Sequence, residues 1–231
     1  MRSARYLLLE LCCSPNSPLG AAAPPDAHVV RVTEDDDLCA KATVEALLGL
    51  IHSATELGIP VAIWAAIPCT GGSQLQRINQ ARYGVTAKLK HHWAVFRALW
   101  SSFEPLATAT AKAGGLIAIE WPKGCSYWHD RRVKRLLQRG FTFASAAACA
   151  FGLRPQGPYA DNEYIGKVWR VATNNDALAA QLNRSCPGQG PCHVHRVVEG
   201  RQTSASAYYP PALAKAVHRA LSSWAVHKRG A

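Results

Sequence analysis

The chain has 231 residues, 48% hydrophobic and 18% charged, enough apolar material for one α/β core and too ordered a composition for a disordered chain. No apolar run approaches the roughly 20 residues that cross a bilayer, so no membrane segment is expected. The formal net charge of +11 favours an anionic partner, nucleic acid first among them.

Arg5 to Cys13 reads as a first buried strand carrying a carboxylate, Glu10, near its end, and Ser14 to Gly20 as a turn-rich loop. The run from Tyr6 to Leu11 is too short for the apolar region of a signal peptide. A second strand, His28 to Thr33, ends in Glu34 and three aspartates, which cap a helix or face the hydroxyls of a ribose. Apolar residues at 44, 47, 48, 51 and 54 predict a helix over 38–57, stopped by Gly58. Ile59 to Ile67 is uncharged and without alternation, the pattern of a strand covered on both faces. Residues 28–67 thus form the strand, helix, strand unit of parallel sheets.

Pro68 ends that strand and Gly71-Gly72 permit a sharp turn, which leaves Cys69 at the carboxyl edge where ligands bind in open α/β sheets. Gln74 to Tyr83 is polar and predicts a mobile surface loop; Thr86 to Ala113 predicts a helix with a stripe of aromatic residues. Gly114 to Pro122 repeats the earlier design, a strand running into Glu120, Trp121 and Pro122. A basic helix over 130–139, a strand over 141–151, a loop over 154–166 and a strand over 167–173 follow, the last suited to antiparallel pairing. Asn175 to Leu182 is a short helix, and Tyr208 leads into a final amphipathic helix through Trp224. Residues 1–183 read as a Rossmann-like domain, with 184–231 a Cys/His-containing loop and helix packed on it.

Basic residues cluster at Lys88, Lys90, His91 and His92, and again at Arg131, Arg132, Lys134, Arg135 and Arg139. Cys186, Cys192, His193 and His195 offer metal ligands within ten residues. Their spacing is not that of a standard zinc finger, so the segment reads as a loop with hydrogen-bonding histidines, with a structural zinc as the alternative, and no metal is assigned. The other cysteines are scattered through apolar segments, the usage of a reduced intracellular protein.

Several short motifs recur in an order shared with a known family. Pro68-Cys69, with Ser73 downstream, resembles the Pro-Cys motif of the S-adenosylmethionine-dependent cytosine-5 DNA methyltransferases. Glu120-Trp121-Pro122 matches their Glu-Asn-Val motif in position and leading acid. Nearly end to end, the chain is similar to a divergent methyltransferase-like domain of phage genomes and retroelement polyproteins. That likeness adds Cys149 with Gly152, Lys167 with Trp169, Thr173-Asn174, and His193 with His195 ahead of Tyr209-Pro210.

The resemblance implies a class I methyltransferase fold, a mostly parallel sheet with a reversed last strand and helices on both faces. It implies Cys69 as a covalent nucleophile toward cytosine C6 and Glu120 as the acid that meets N3. S-adenosyl-L-methionine would lie over Glu10, Leu11, Cys12, Ser14 and Ser17 with its methionine part, near Glu34 with its ribose, and beside Pro68. The partner would be nucleic acid, DNA in preference to RNA, with target recognition supplied by a larger complex. Three features differ: the first loop has no glycine-rich pattern, the arginine pair that supports the nucleophile has no match beyond the nearby Arg154 and Lys167, and residues 154–231 leave little room for a recognition domain. Two other readings follow, a catalytically inactive nucleic-acid-binding module on the same fold, and a cysteine hydrolase pairing Cys69 with His91 or His129.

Overall fold

The computed structural model describes residues 4–198 and 206–230. Strands β1 (Tyr6–Leu11), β2 (Ala27–Val32), β3 (Val61–Ala65) and β4 (Leu116–Pro122) are parallel neighbours in the order β2-β1-β3-β4. The sheet continues through β7 (Val168–Thr173), antiparallel to β4, to β5 (Thr142–Ala147) at the far edge, antiparallel to β7. The result is a mixed α/β fold with a mostly parallel six-stranded sheet and one reversed strand, compatible with a Rossmann-like architecture.

Alternation along the strands builds two cores. Leu7, Leu9 and Leu11 of β1, Ile63 of β3, and Ile117 and Ile119 of β4 face one side, with residues of α2 (Lys41–Glu56), α4 (Ala87–Lys112) and α5 (Arg131–Leu137). Tyr6, Leu8, Trp64 and Ala118 face the other, against α1 (Pro18–Ala21), α6 (Asp176–Leu182) and α7 (Pro211–Gly230). Helices therefore cover both faces, and the last helix belongs to the second core. His218 of α7 is locked there: the Leu19 carbonyl can only accept, so Nε2 carries the proton at 2.6 Å, and Nδ1 accepts from the Tyr6 hydroxyl at 2.7 Å. No described helix is long and apolar enough to cross a membrane.

Several elements differ from their sequence-based expectations. Residues 74–83 form a helix, α3 (Gln74–Tyr83), capped by the Ser73 hydroxyl and stopped by Gly84 at φ 72°. Its polar composition hides it, because it lacks the apolar stripe by which helices are read. The strand expected over 141–151 ends at Ala147 and tightens into a 3-10 turn, Ala148–Phe151. The loop after it contains β6 (Glu163–Ile165), which pairs in parallel with β8 (Val194–Arg196) to make a separate two-stranded ribbon. Three residues per strand are too few for a period to register in sequence.

Gly71 and Gly72 act by size and not by backbone freedom, since neither has a positive φ. A Cβ on Gly72 would meet Cys125 Sγ at 2.7 Å and the Tyr127 ring at 2.9 Å; one on Gly71 would meet the Tyr127 hydroxyl at 2.6 Å. Gly72→Ala should destabilise the protein by about 1–3 kcal/mol through overpacking, read as a lower denaturant midpoint at unchanged slope.

Candidate functional site

The parallel strands β1, β3 and β4 end on one side of the sheet, and a cleft of about 1720 Å³ opens there. Its lining joins Glu10, Cys12, Ser14 and Ser17 from the first strand and loop, Pro68 and Cys69 from the turn after β3, and Glu120 from β4. Residues far apart in sequence are thus brought into one space. Pockets for single drug-sized ligands run to about 1,000 Å³. This one has room for two ligands side by side.

The sheet's alternation aims the acids. Glu10 is paired in register with Trp64, whose side chain belongs to the second core, and Glu120 shares that face. Trp121, one residue on, points the opposite way into the packing of Phe96, Trp100, Tyr127 and Trp128. Its Nε1 donates to the Ile67 carbonyl at 2.6 Å. One bond therefore ties the strand carrying Glu120 to the residue preceding Pro68-Cys69.

Glu120 is 8% exposed and its Oε2 accepts from the Tyr209 hydroxyl at 2.7 Å, while Tyr209 accepts from Trp64 Nε1 at 3.1 Å. Oε1 is buried with no hydrogen-bond partner among the described residues. Burial raises the carboxyl's pKa above the ordinary value, and the Lys167 ammonium and the Tyr209 hydroxyl offset part of that. Because Oε2 is held as an acceptor, a proton on Glu120 belongs on Oε1.

Cys69 is half-buried, and its thiol is pushed up by burial first and by the Glu120 charge second, with Lys167 acting against both. The two groups are linked. When Glu120 takes a proton, one cause of the raised thiol pKa disappears and the pull of Lys167 remains. Lys167 lines the cleft and is steered by the Ser206 carbonyl, which accepts from Nζ at 2.7 Å. Arg154 is engaged elsewhere, donating to the Glu163 carbonyl at 2.9 Å and the Tyr164 hydroxyl at 3.2 Å.

At the other end, Glu10 is 1% exposed, accepts from the Ser17 hydroxyl through Oε1, and leaves Oε2 buried without a hydrogen-bond partner among the described residues. Burial raises its pKa. The adjacent Cys12 has φ 58°, the left-handed region that usually calls for glycine. A backbone bend of the glycine kind is therefore present at the end of β1 with a cysteine in it. Such strain persists where the surroundings impose it, and it clusters at ligand sites.

Not every expected residue converges. Leu11 is fully buried in the first core, and Glu34 is exposed in the 3-10 turn Glu34–Asp36, outside the cleft lining. Asp36 closes a capping box there by accepting from the Thr33 amide at 2.7 Å and hydroxyl at 2.9 Å. The basic clusters of α4 and α5 do not line the cleft either; among the described residues its lysines and arginines are Lys123, Lys167 and Arg196. Asn174 instead clamps the start of β4, accepting from the Ile117 amide at 2.7 Å and donating to the Gly115 carbonyl at 3.0 Å. Sequence reasoning did not give Tyr209 or Trp64 a place in the site. Tyr209 lies 89 positions from Glu120, and its marks in the sequence are the Tyr209-Pro210 pair of the resemblance and the helix start that follows it, neither of which points to Glu120.

Comparison of the chain with protein-family models, with curated proteins and with solved structures found no match.

Proposed function

We propose that the protein is an S-adenosyl-L-methionine-dependent methyltransferase acting on cytosine C5 in DNA through a covalent Cys69 intermediate. The observation that carries this reading is the convergence of Cys69, Glu120 and Glu10 on one cleft at the carboxyl ends of β1, β3 and β4. The reversed strand β7, last in chain order of the six-stranded sheet, supports this reading, which implies a mostly parallel sheet with a reversed last strand.

The donor set fits the cofactor. Glu10 Oε2, a buried acceptor beside the cleft with no hydrogen-bond donor among the described residues, suits an ammonium such as that of the methionine part. Cys12, Ser14, Ser17 and Pro68 complete that end of the lining. The bound cofactor supplies an electrophilic methyl group on a sulfonium.

The protein's own residues handle the base. Cytosine C5 gains nucleophilic character once the Cys69 thiolate adds to C6, forming a sulfur–carbon bond and moving an electron pair toward C5 and N3. Glu120, protonated on Oε1, donates a hydrogen bond to N3 and meets the charge that develops there. Lys167 favours the thiolate before attack. After C5 has taken the methyl group, water in the open cleft accepts its proton; the C–H electron pair re-forms the C5=C6 bond and expels Cys69 as thiolate with release of the product. A base buried in a duplex must first be flipped out or be single-stranded. Lys123 in the cleft lining, with the exposed lysines and arginines of α4 and α5, suits the phosphates on either side.

Calorimetry with S-adenosylmethionine tests the cofactor assignment directly. Saturable binding is expected, weakened roughly tenfold or more in Glu10→Gln, since a hydrogen bond to a charged group contributes about 1.5–3 kcal/mol. No binding at millimolar cofactor would remove the enzymatic reading. DNA binding that ignores the cofactor and survives Cys69→Ala would assign a catalytically inactive nucleic-acid-binding module instead.

A further inference from the structure

The sequence offers Cys186, Cys192, His193 and His195 as metal ligands within ten residues. The fold exchanges one member. Cys192 is exposed, and Cys149, buried in the turn Ala148–Phe151 after β5, takes its place. The ligand atoms of Cys149, Cys186, His193 and His195 all lie within 4.8 Å of one another. We propose that these four residues bind one zinc ion in a closed, structural site.

The spacing fits tetrahedral zinc. Bond lengths of about 2.3 Å to sulfur and about 2.0–2.1 Å to nitrogen set tetrahedral edges of about 3.6 Å for S···N and about 3.3 Å for N···N. Cys186 Sγ lies 3.6 Å from Nε2 of His193 and 3.6 Å from Nε2 of His195, and the two nitrogens are 3.0 Å apart. Cys149 Sγ lies within 4.8 Å of the other three ligand atoms, so closing the polyhedron draws it in by up to about 1 Å, toward edges of about 3.6 Å to nitrogen and about 3.8 Å to sulfur. Two thiolates and two imidazoles are a set that zinc prefers.

The backbone is shaped for the same purpose. After Cys186-Pro187, Gly188 adopts φ 101° and its amide donates to Cys186 Sγ at 3.3 Å, the kind of donor that steadies a metal-bound thiolate. Reciprocal bonds between Gly190 and His193, each 3.0 Å, turn the chain back. His193 and His195, two apart on extended chain, then present Nε2 to the same side. His193 stacks on Tyr164 with centroids 4.5 Å apart, and Gly166 leaves space for the His195 ring, which a Cβ would approach to 2.9 Å. With four protein ligands no open coordination position remains, so the ion clips the β6–β8 ribbon to the end of β5. Gln189, His195 and Arg196 on this segment line the cleft, so the ion holds one of its walls.

The test reads metal and not methyl transfer, so it stands or falls apart from the catalytic assignment. The full chain, purified reduced and stripped with a chelator, is titrated with zinc and, separately, with cobalt(II). One ion per chain is expected, with the intense visible bands of tetrahedral cobalt and thiolate-to-metal charge transfer. Cys149→Ser and Cys186→Ser should each weaken binding by roughly 100-fold or more, and Cys192→Ser should leave it unchanged. Because the first two variants may fail to fold without metal, the wild-type cobalt spectrum and the Cys192→Ser titration decide independently. Absence of a stoichiometric ion, a weak octahedral cobalt spectrum, a Cys149–Cys186 disulfide that persists in reductant, or loss of binding in Cys192→Ser would each overturn the site.

Discussion

Cys69→Ala should lower methyl transfer to cytosine-containing DNA by at least about a thousandfold while leaving S-adenosylmethionine affinity within about threefold. The split follows from the cleft: Cys69 stands at the β3 end beside Glu120 and Lys167, whereas the acceptor suited to the cofactor's ammonium, Glu10, is on β1. Transfer of a labelled methyl group from the cofactor reads the first quantity, and calorimetry the second. A covalent protein–DNA adduct with a substrate carrying fluorine at C5, which cannot leave as a proton, should form in the wild type and be lost in the variant. Retained transfer in Cys69→Ala would show that the thiol only packs and that the methylated atom is not cytosine C5.

Glu120→Gln should reduce turnover by about 10²–10³-fold, the usual range for removing one group aimed at developing charge. The pH dependence carries a sharper prediction. In the proposed reaction Glu120 works in its protonated form, so the rate should fall as pH rises through the pKa of that carboxyl. Burial raises this pKa and the Tyr209 hydrogen bond lowers it. Tyr209→Phe removes the lowering contribution, so the alkaline limb should move to higher pH while the maximal rate falls about tenfold, because the proton is no longer confined to Oε1. Steady-state rates across pH for both variants check this. A limb that stays in place in Tyr209→Phe would detach Glu120 from the titration.

Much of this arrangement is legible in the residues themselves. Uncharged runs ending in Pro68-Cys69 and in Glu120-Trp121-Pro122 locate two strand ends, because a both-faces-buried strand must be apolar and proline must stop its ladder. Glu10 at the end of a buried strand is legible for the same reason: a carboxylate in a core is costly unless something meets it. Helix α3 was not, since its residues have helical propensity without an amphipathic stripe, and its cap, Ser73, reads equally well as part of a turn.

The sequence by itself determined which residues stand at the strand ends, Glu10, Cys69 and Glu120, and the alternation of the strand over 167–173 that suits antiparallel pairing, all carried by local composition and period. The tertiary structure alone decided which of these groups meet. Sheet register put Glu10 and Glu120 on one face and sent Trp121 to the other, and it left Leu11 in a core. Packing brought Tyr209 to Glu120 and Cys149 to Cys186, and it placed Glu34 outside the cleft. Local pattern encodes what a residue contributes to its own strand or helix; contacts across tens of residues depend on how those elements stack, which no period in the chain records.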